Sequence, residues 1–300
     1  MQKAKLRLSA SEKLLNGLNY LLVGLFTFLC FYPFYYIIIY SVSNATEASQ
    51  GIYLWPRGFT LELYENIFQQ ADLIHAFTIS ALRTVLGTIL CVLASSMFAY
   101  LLIQREMLFR KVVYRLVIIT MYLNAGLIPW YITMKMYGLK NNFLLYILPG
   151  MINAFYLILM KTYIEQLPAS LEESAALDGA GFFTKFFKVV LPLSKPILAT
   201  IAVYSAVGQW NSWLDNYFLA SDKKLQTLQL ILYKYLNQAE ALANSMKNAS
   251  AVSNATAVSN INPTNVRMAT IVVTVVPIML VYPFLQKYFA KGILLGAVKG

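Results

Sequence analysis

Apolar residues occur along this chain in long unbroken runs, and the polar residues collect between them. Six such runs, at approximately 17–43, 77–103, 113–136, 144–164, 194–214 and 268–289, each approach the ~20 residues that a helix needs to cross the hydrocarbon core of a bilayer. The pattern predicts an all-α polytopic membrane protein with six transmembrane helices. The first run follows Lys3, Lys5, Arg7 and Lys13, as a signal peptide would, but it is much longer than the ~7–15 apolar residues of a cleavable one. A retained helix is expected.

The polar segments carry their own periodicity. Between the fifth and sixth runs, Leu225 to Leu236 places Leu228, Ile231, Leu232 and Tyr235 at helical spacing, which predicts an amphipathic helix. Ala241 to Asn262 is a low-complexity run of Ala, Ser, Asn and Val ending at Pro263, read as a flexible loop. Its Asn248-Ala249-Ser250 and Asn254-Ala255-Thr256 match the glycosylation triplet, a pattern that such a run produces by chance.

The segment 165–193 is the most informative. Ser170 followed by Glu173 has the spacing of a capping box, in which the hydroxyl accepts from the Glu173 N–H and the carboxylate reaches back to the Ser170 N–H. A helix of roughly two turns follows. Ala175 and Ala176 keep its surface low enough for another protein to approach, and Gly179 is placed to end it in a left-handed cap. Thr184 is expected to start a second short helix with Phe186, Phe187, Val190 and Leu191 on its apolar side. Pro192 and Pro196 then reset the chain as it enters the fifth run.

Composition narrows the class. With 59% hydrophobic and 12% charged residues over 300 positions, the chain has more apolar surface than a water-soluble core can hide. The net charge of +11 comes largely from Lys and Arg flanking the apolar runs, as membrane topology requires, so nucleic acid is not an expected partner. About fifteen of the 24 basic residues fall on one side: the N-terminal segment, Arg105 to Arg115, Lys161 to Lys195 and the C-terminal tail. That side is read as cytoplasmic. Both termini then lie inside, with 1–16 a cytoplasmic segment, 17–300 the six-helix domain, 165–193 on the inner face and 215–266 extracellular. Cys30 and Cys91 lie within apolar runs and suggest neither a disulfide nor a metal.

At Glu173-Ser174-Ala175, Asp178-Gly179-Ala180, Val189 and Leu191-Pro192 the chain resembles the so-called EAA loop of permease subunits in binding-protein-dependent ABC importers. Trp210-Asn211-Ser212-Trp213, Tyr282 to Phe289, Lys291-Gly292 and Gly296 to Gly300 are similar to the carbohydrate branch of that family, the second permease of the maltose type and the lipo-oligosaccharide type. The likeness covers nearly the whole chain. Ser174 stands where the family usually has Ala, a small change on the docking surface. The resemblance implies a type I importer in a bacterial plasma membrane. An extracellular binding protein delivers an oligosaccharide to two distinct permeases, and two cytoplasmic ATPase subunits drive the switch. Glu173, Ser174, Ala175, Asp178, Gly179, Ala180, Leu191 and Pro192 would then form the ATPase-coupling surface. The chain has no G-x-x-x-x-G-K-[ST] loop, so ATP and Mg are expected on the partner subunits and no cofactor on this one.

Gln209, Trp210, Asn211 and Trp213 are the candidate substrate path, with Tyr217 beside them, because aromatic faces and amides suit a polyhydroxylated ligand. The competing reading for Trp213 and Tyr217 is an interfacial aromatic belt. Arg83, Lys135 and Arg267 sit toward the outer ends of their runs, where snorkelling to water is the default and attraction of an anionic sugar the alternative. His75 lacks the neighbours of a metal ligand. Asn124-Ala125-Gly126 with Pro129, and Pro149-Gly150, mark either helix interruptions or packing sites. An ion-coupled carrier would want an ionisable group at depth, and the run centres are nearly free of Asp and Glu. An intramembrane enzyme would need a nucleophile with its base, or paired carboxylates, and the runs offer neither. A permease for a non-sugar solute is the remaining alternative.

Overall fold

Lipid solvates apolar side chains but no backbone amides, so the chain meets it as helices. The computed structural model describes residues 10–48, 50–51, 54–69, 71–250 and 263–297. In chain order the helices are α1 Ala10–Ser41, α2 Ala45–Ala48, α3 Glu62–Phe68, α4 Ala71–Ile103, α5 Arg110–Tyr122, α6 Leu127–Met136, α7 Ala154–Ile164, α8 Ala169–Leu177, α9 Phe182–Lys185, α10 Leu191–Leu193, α11 Lys195–Asn211, α12 Leu214–Leu219, α13 Leu228–Ser250 and α14 Pro263–Ala297. Among the described residues the only β pairing is an isolated bridge between Ser43 and Phe59. Helices α1, α4 and α14 are long and apolar enough to cross a membrane singly, whereas Phe182–Leu193 and Lys195–Asn211 reach that length and hydropathy only together, as a pair bent by 81°.

The chain divides into two compact units, residues 1–67 with 236–273, and 68–235 with 274–300. In the first, α1 exposes its side chains along most of its length, which suits a lipid solvent. Thr27 satisfies its hydroxyl by donating to the Val23 carbonyl at 2.7 Å, as a hydroxyl in hydrocarbon must. Its buried end carries Ile39 and Tyr40, packed with Ala48, Tyr35, Tyr36 and Met268. Polar groups tie the following loop down. Tyr64 Oη donates to Ser41 Oγ (2.7 Å) and Asn265 Nδ2 to the Ser43 carbonyl (3.0 Å).

In the second unit α4 is the central post, packed against α7 and α11. Its buried face is small: Ser95, Ser96 and Ala99 lie beside Tyr100 and Leu102, and Leu157, Met160 and Ile164 of α7 and Ile201 of α11 close on it. Small residues admit close backbone approach, which drives association where lipid supplies no hydrophobic force. Gly87 is the tightest such place. A Cβ there would meet Gln209 Nε2 at 2.7 Å and its Cδ at 2.9 Å. Because Gln209 Oε1 is held by Arg83 Nε at 2.9 Å, Gly87→Ala is expected to cost about 1–3 kcal/mol, measured as a lowered thermal midpoint of the detergent-purified protein.

Two expected spans are not single helices. The run 113–136 breaks between α5 and α6, where Asn124 Oδ1 accepts from the Gly126 N–H at 2.9 Å and Gly126 adopts φ +82°. The run 144–164 opens with a 3₁₀ turn at Phe143–Tyr146 and becomes α-helical only at α7, which Asn153 caps by accepting from the Phe155 and Tyr156 N–H groups. Hydropathy averages over such breaks, because an Asn side chain that captures a backbone donor hardly alters the mean. The turn between them is clamped from outside: Asn141, at φ +54°, accepts through Oδ1 from the Ser221 N–H (2.8 Å) and the Asp222 N–H (3.2 Å).

Elsewhere the helices extend beyond the apolar runs. Helix α1 begins at Ala10, α4 at Ala71, and α14 extends from Pro263 to Ala297. The amphipathic helix is present with Leu228, Ile231 and Leu232 buried, but it continues to Ser250, so the first ten residues of the expected loop are helical. Alanine's high helix propensity carries the helix through them. Residues 251–262 lie outside the described part, as do Lys3, Lys5, Arg7, Asn254 and Val298-Lys299-Gly300.

Candidate functional site

The segment 165–193 forms a helix-turn-helix as expected, though by different local means. Helix α8 takes Pro168 as its N-cap, with no side-chain cap bond, so the predicted capping box is not formed. Proline's restricted φ suits a helix start, and it moves the boundary two residues earlier, leaving Ser170 inside the first turn. Termination follows the prediction. Gly179 sits at φ +78°, its N–H donates to the Ala176 carbonyl at 3.0 Å, and the Ala180 N–H donates to the Ala175 carbonyl at 2.9 Å. This pair of bonds is the Schellman arrangement.

The second arm begins at Phe182 with Gly181 as N-cap, not at Thr184, and its inward side is Phe182, Phe186 and Val190 with Leu191, while Phe187 is half exposed. The register differs because Phe186–Val190 is a π turn. Pro192 has no N–H for the Lys188 carbonyl, and a widened turn accommodates its ring. Pro192 and Pro196 also set the 81° bend into α11.

One face of α8 is anchored and the other is bare. Glu172 accepts from Tyr100 Oη at 3.0 Å. The fully buried Tyr100 ring packs on Phe182 (centroids 4.9 Å) and Phe186 (5.4 Å, stacked). Helix α8, the second arm and α4 therefore share one joint. On the bare side stand Glu173, Ser174, Asp178 and Gly179, with Ala175 and Ala180 half-buried. Leu177 projects at the tip, 91% exposed. Leu191 is half-buried and Pro192 exposed. Glu172 and Tyr100 were not anticipated; the only available signal was a phenol at the end of an apolar run, which nothing in the sequence links to residue 172.

At the opposite end of α11 the candidate path residues separate. Trp210 is buried, donating Nε1–H to the Thr274 carbonyl at 3.1 Å and meeting Phe77 edge-on at 5.7 Å. It borders an apolar cavity of about 220 Å³ between α4, α11 and α14. Gln209 is half-buried beside Gly87 and Gly150. Asn211 is exposed and Trp213 half-buried.

Arg83 corrects an expectation. Instead of snorkelling it is buried, 3% exposed, with Nη1 donating to Asp215 Oδ1 at 3.0 Å and Nη2 to Oδ2. Nε donates to Gln209, Nη1 also reaches the Ser212 carbonyl (3.3 Å), and the guanidinium lies 4.6 Å over the Tyr146 ring. Asp215 lies 132 residues away in sequence, so no local pattern announces the pair, and burial is tolerated because the charge is matched and its N–H groups are bonded. Arg267 is likewise paired, with Glu240. Lys135 is exposed, and His75 is exposed with Nε2 2.8 Å from the Lys224 carbonyl. No group of three or more His, Cys, Asp or Glu able to hold a metal ion occurs among the described residues.

Residues 92–295, from the C-terminal third of α4 through both arms of the helix-turn-helix and α11 into α14, match the family described as binding-protein-dependent transport system inner membrane component. The chain is 36% identical over 290 residues, 96% of this chain and 99% of the other, to the polygalacturonan/rhamnogalacturonan transport system permease protein YtcP of Bacillus subtilis (strain 168). It is 36% identical over 282 residues, 93% and 91% of the two chains, to Protein LplC of the same organism. Among solved structures it is similar to a bacterial ABC transporter involved in the import of the acidic polysaccharide alginate, with TM-score 0.79, 30% identity, and coverage of 95% of this chain and 100% of that one. A membrane permease fold carrying an anchored, outward-facing two-turn helix, with this match across most of its length, makes the chain a member of the inner-membrane components of binding-protein-dependent ABC importers, a transport subunit rather than an enzyme.

Proposed function

We propose that this chain is one of two distinct permease subunits of an importer that moves an oligosaccharide into the cytoplasm, with α8 as the helix on which an ATPase subunit acts. Residues 165–193 and both termini lie on the cytoplasmic side, following the distribution of Lys and Arg. An extracellular binding protein delivers the sugar, and two ATPase subunits bind ATP and Mg. The observation that carries the reading is the two-sidedness of α8. Its Glu172 side is joined to α4 and to the second arm through Tyr100, while Glu173, Ser174, Asp178 and Leu177 are free to meet a partner. Closure of the ATPases on ATP then displaces α8, and the shared joint carries that displacement into α4 and α11 as a rigid-body movement. Ala175, Gly179 and Ala180 supply the low surface and the turn, and Leu191 and Pro192 the bend that passes motion on.

Sugar as cargo is supported by what the relatives are named for: polygalacturonan and rhamnogalacturonan for YtcP, alginate for the structural neighbour. A preference for acidic sugars gains no support from Arg83 or Arg267, because Asp215 and Glu240 already neutralise them. On the path, Asn211 and Trp213 face the solute while Gln209 and Trp210 hold the end of α11 from behind. Mild-detergent purification from the native membrane followed by mass spectrometry is the test. The expected result is co-recovery of a second permease, an ATPase with a phosphate-binding loop, and a binding protein whose bound ligand is an oligosaccharide. Recovery of the chain alone, active in proteoliposomes without ATP, would overturn the reading.

A further inference from the structure

Beyond α11 three rings from two helices come together. Trp213, at the N-terminus of α12, stacks on Tyr233 of α13 with centroids 4.3 Å apart and planes at 22°. Tyr217 stands edge-on to both, at 5.9 Å and 6.3 Å. Two amides adjoin them: Asn211, exposed, and Gln229, half-exposed, whose Nε2 lies 3.5 Å from Asn211 Oδ1. The frame beneath is held by buried bonds. Asn216 Oδ1 accepts from the Thr227 N–H at 2.7 Å, Ser80 Oγ accepts from the Leu228 N–H at 2.8 Å, and Asp215 holds Arg83. Residues 216 and 228, which bracket the connection between the two helices, are thus fixed relative to each other and to α4.

We infer that Trp213, Tyr217 and Tyr233, with the amides of Asn211 and Gln229, form a binding platform for a pyranose ring of the transported oligosaccharide. The inference rests on the importer reading above and adds α13 residues to the substrate path. A pyranose offers a C–H face that packs on aromatic rings and hydroxyls at its rim that pair with amides. Tyr217, 53% exposed, and Tyr233, 37% exposed, supply the first, and Asn211 and Gln229 the second. Side chains of an interfacial belt are satisfied by lipid headgroups and have no need of adjoining amides. An amide turned toward hydrocarbon is costly, so the exposure of Asn211 marks this surface as one that sees water or a polar ligand. The platform needs no ordering before it binds, because its rings already touch and its helices are pinned, which lowers the entropic cost of a weak, transient contact.

The experiment uses the intact importer complex in proteoliposomes with the binding protein and sugar outside and ATP enclosed in the lumen, and measures uptake of oligogalacturonides and of neutral gluco-oligosaccharides against concentration. Tyr217→Ala, Tyr233→Ala and Asn211→Ala are each expected to raise the half-saturating concentration roughly three- to tenfold for whichever sugar the wild type carries. Tyr217→Phe keeps the ring and is expected to raise that concentration less than Tyr217→Ala does, which separates a lost stacking surface from a damaged fold. Unchanged saturation in all three alanine variants, with wild-type uptake intact, would overturn the platform and assign the rings to the membrane interface while the importer reading stands. Failure of the wild-type complex to carry either sugar class with ATP would overturn both.

Discussion

Asp215→Asn is expected to be the most damaging single-atom change in this protein. It keeps the shape of the side chain and the oxygen that accepts from the Asn216 N–H at 2.8 Å, but it removes the charge facing Arg83. The two side chains are 4% and 12% exposed, so the guanidinium has little water to turn to. Removing one partner of a buried pair typically costs about 3–5 kcal/mol, a large share of the stability of an ordinary domain. The variant should accumulate poorly in the membrane, and what is purified should melt well below the wild type. Replacing both charges with apolar residues of similar volume, Arg83→Met with Asp215→Leu, should recover much of the loss, because the desolvation of both ions disappears together. A wild-type melting temperature for Asp215→Asn would mean that Arg83 is solvated.

Changing Glu173 and Gly179 together should uncouple ATP hydrolysis from transport. Gly179→Val forces a β-branched residue into φ +78°, where the left-handed region costs an L-residue about 1–2 kcal/mol, roughly five- to thirtyfold in the population of the turn. Glu173→Ala removes the exposed carboxylate proposed to meet the ATPase without touching Glu172, which remains bonded to Tyr100. Membrane insertion is expected to be normal, since neither residue packs within the spans. Transport and ATP hydrolysis measured on the same proteoliposomes should then separate, with hydrolysis persisting while uptake falls at least tenfold. Tight coupling in the double variant would remove α8 from the transmission.

Both experiments turn on residues that the sequence revealed to different degrees. Long apolar runs imply helices in lipid whatever their neighbours, since a backbone there must bond to itself, so the all-α membrane class and the helices α1, α4 and α14 were legible at once. Gly179 was legible too, because a left-handed cap is a property of one residue and its immediate neighbours. The start of α8 was less so. Ser170 and Glu173 have capping-box spacing, and only the geometry of Pro168 decided that the helix begins before them. Short-range signals compete, and the sequence does not say which prevails.

What joins distant parts of the chain was not legible at all. Arg83 in isolation is a long cation near the end of an apolar run, and snorkelling is its ordinary fate; Asp215, folded onto it from another helix, makes it a buried structural tie. Tyr100 finds Glu172, and Trp213 finds Tyr233, across loops and turns. Periodicity and capping depend on atoms within about one helical turn and so can be read along the chain. Charge pairing, ring stacking and the breaks within two expected spans depend on which surfaces meet, and only the packed helices decide that.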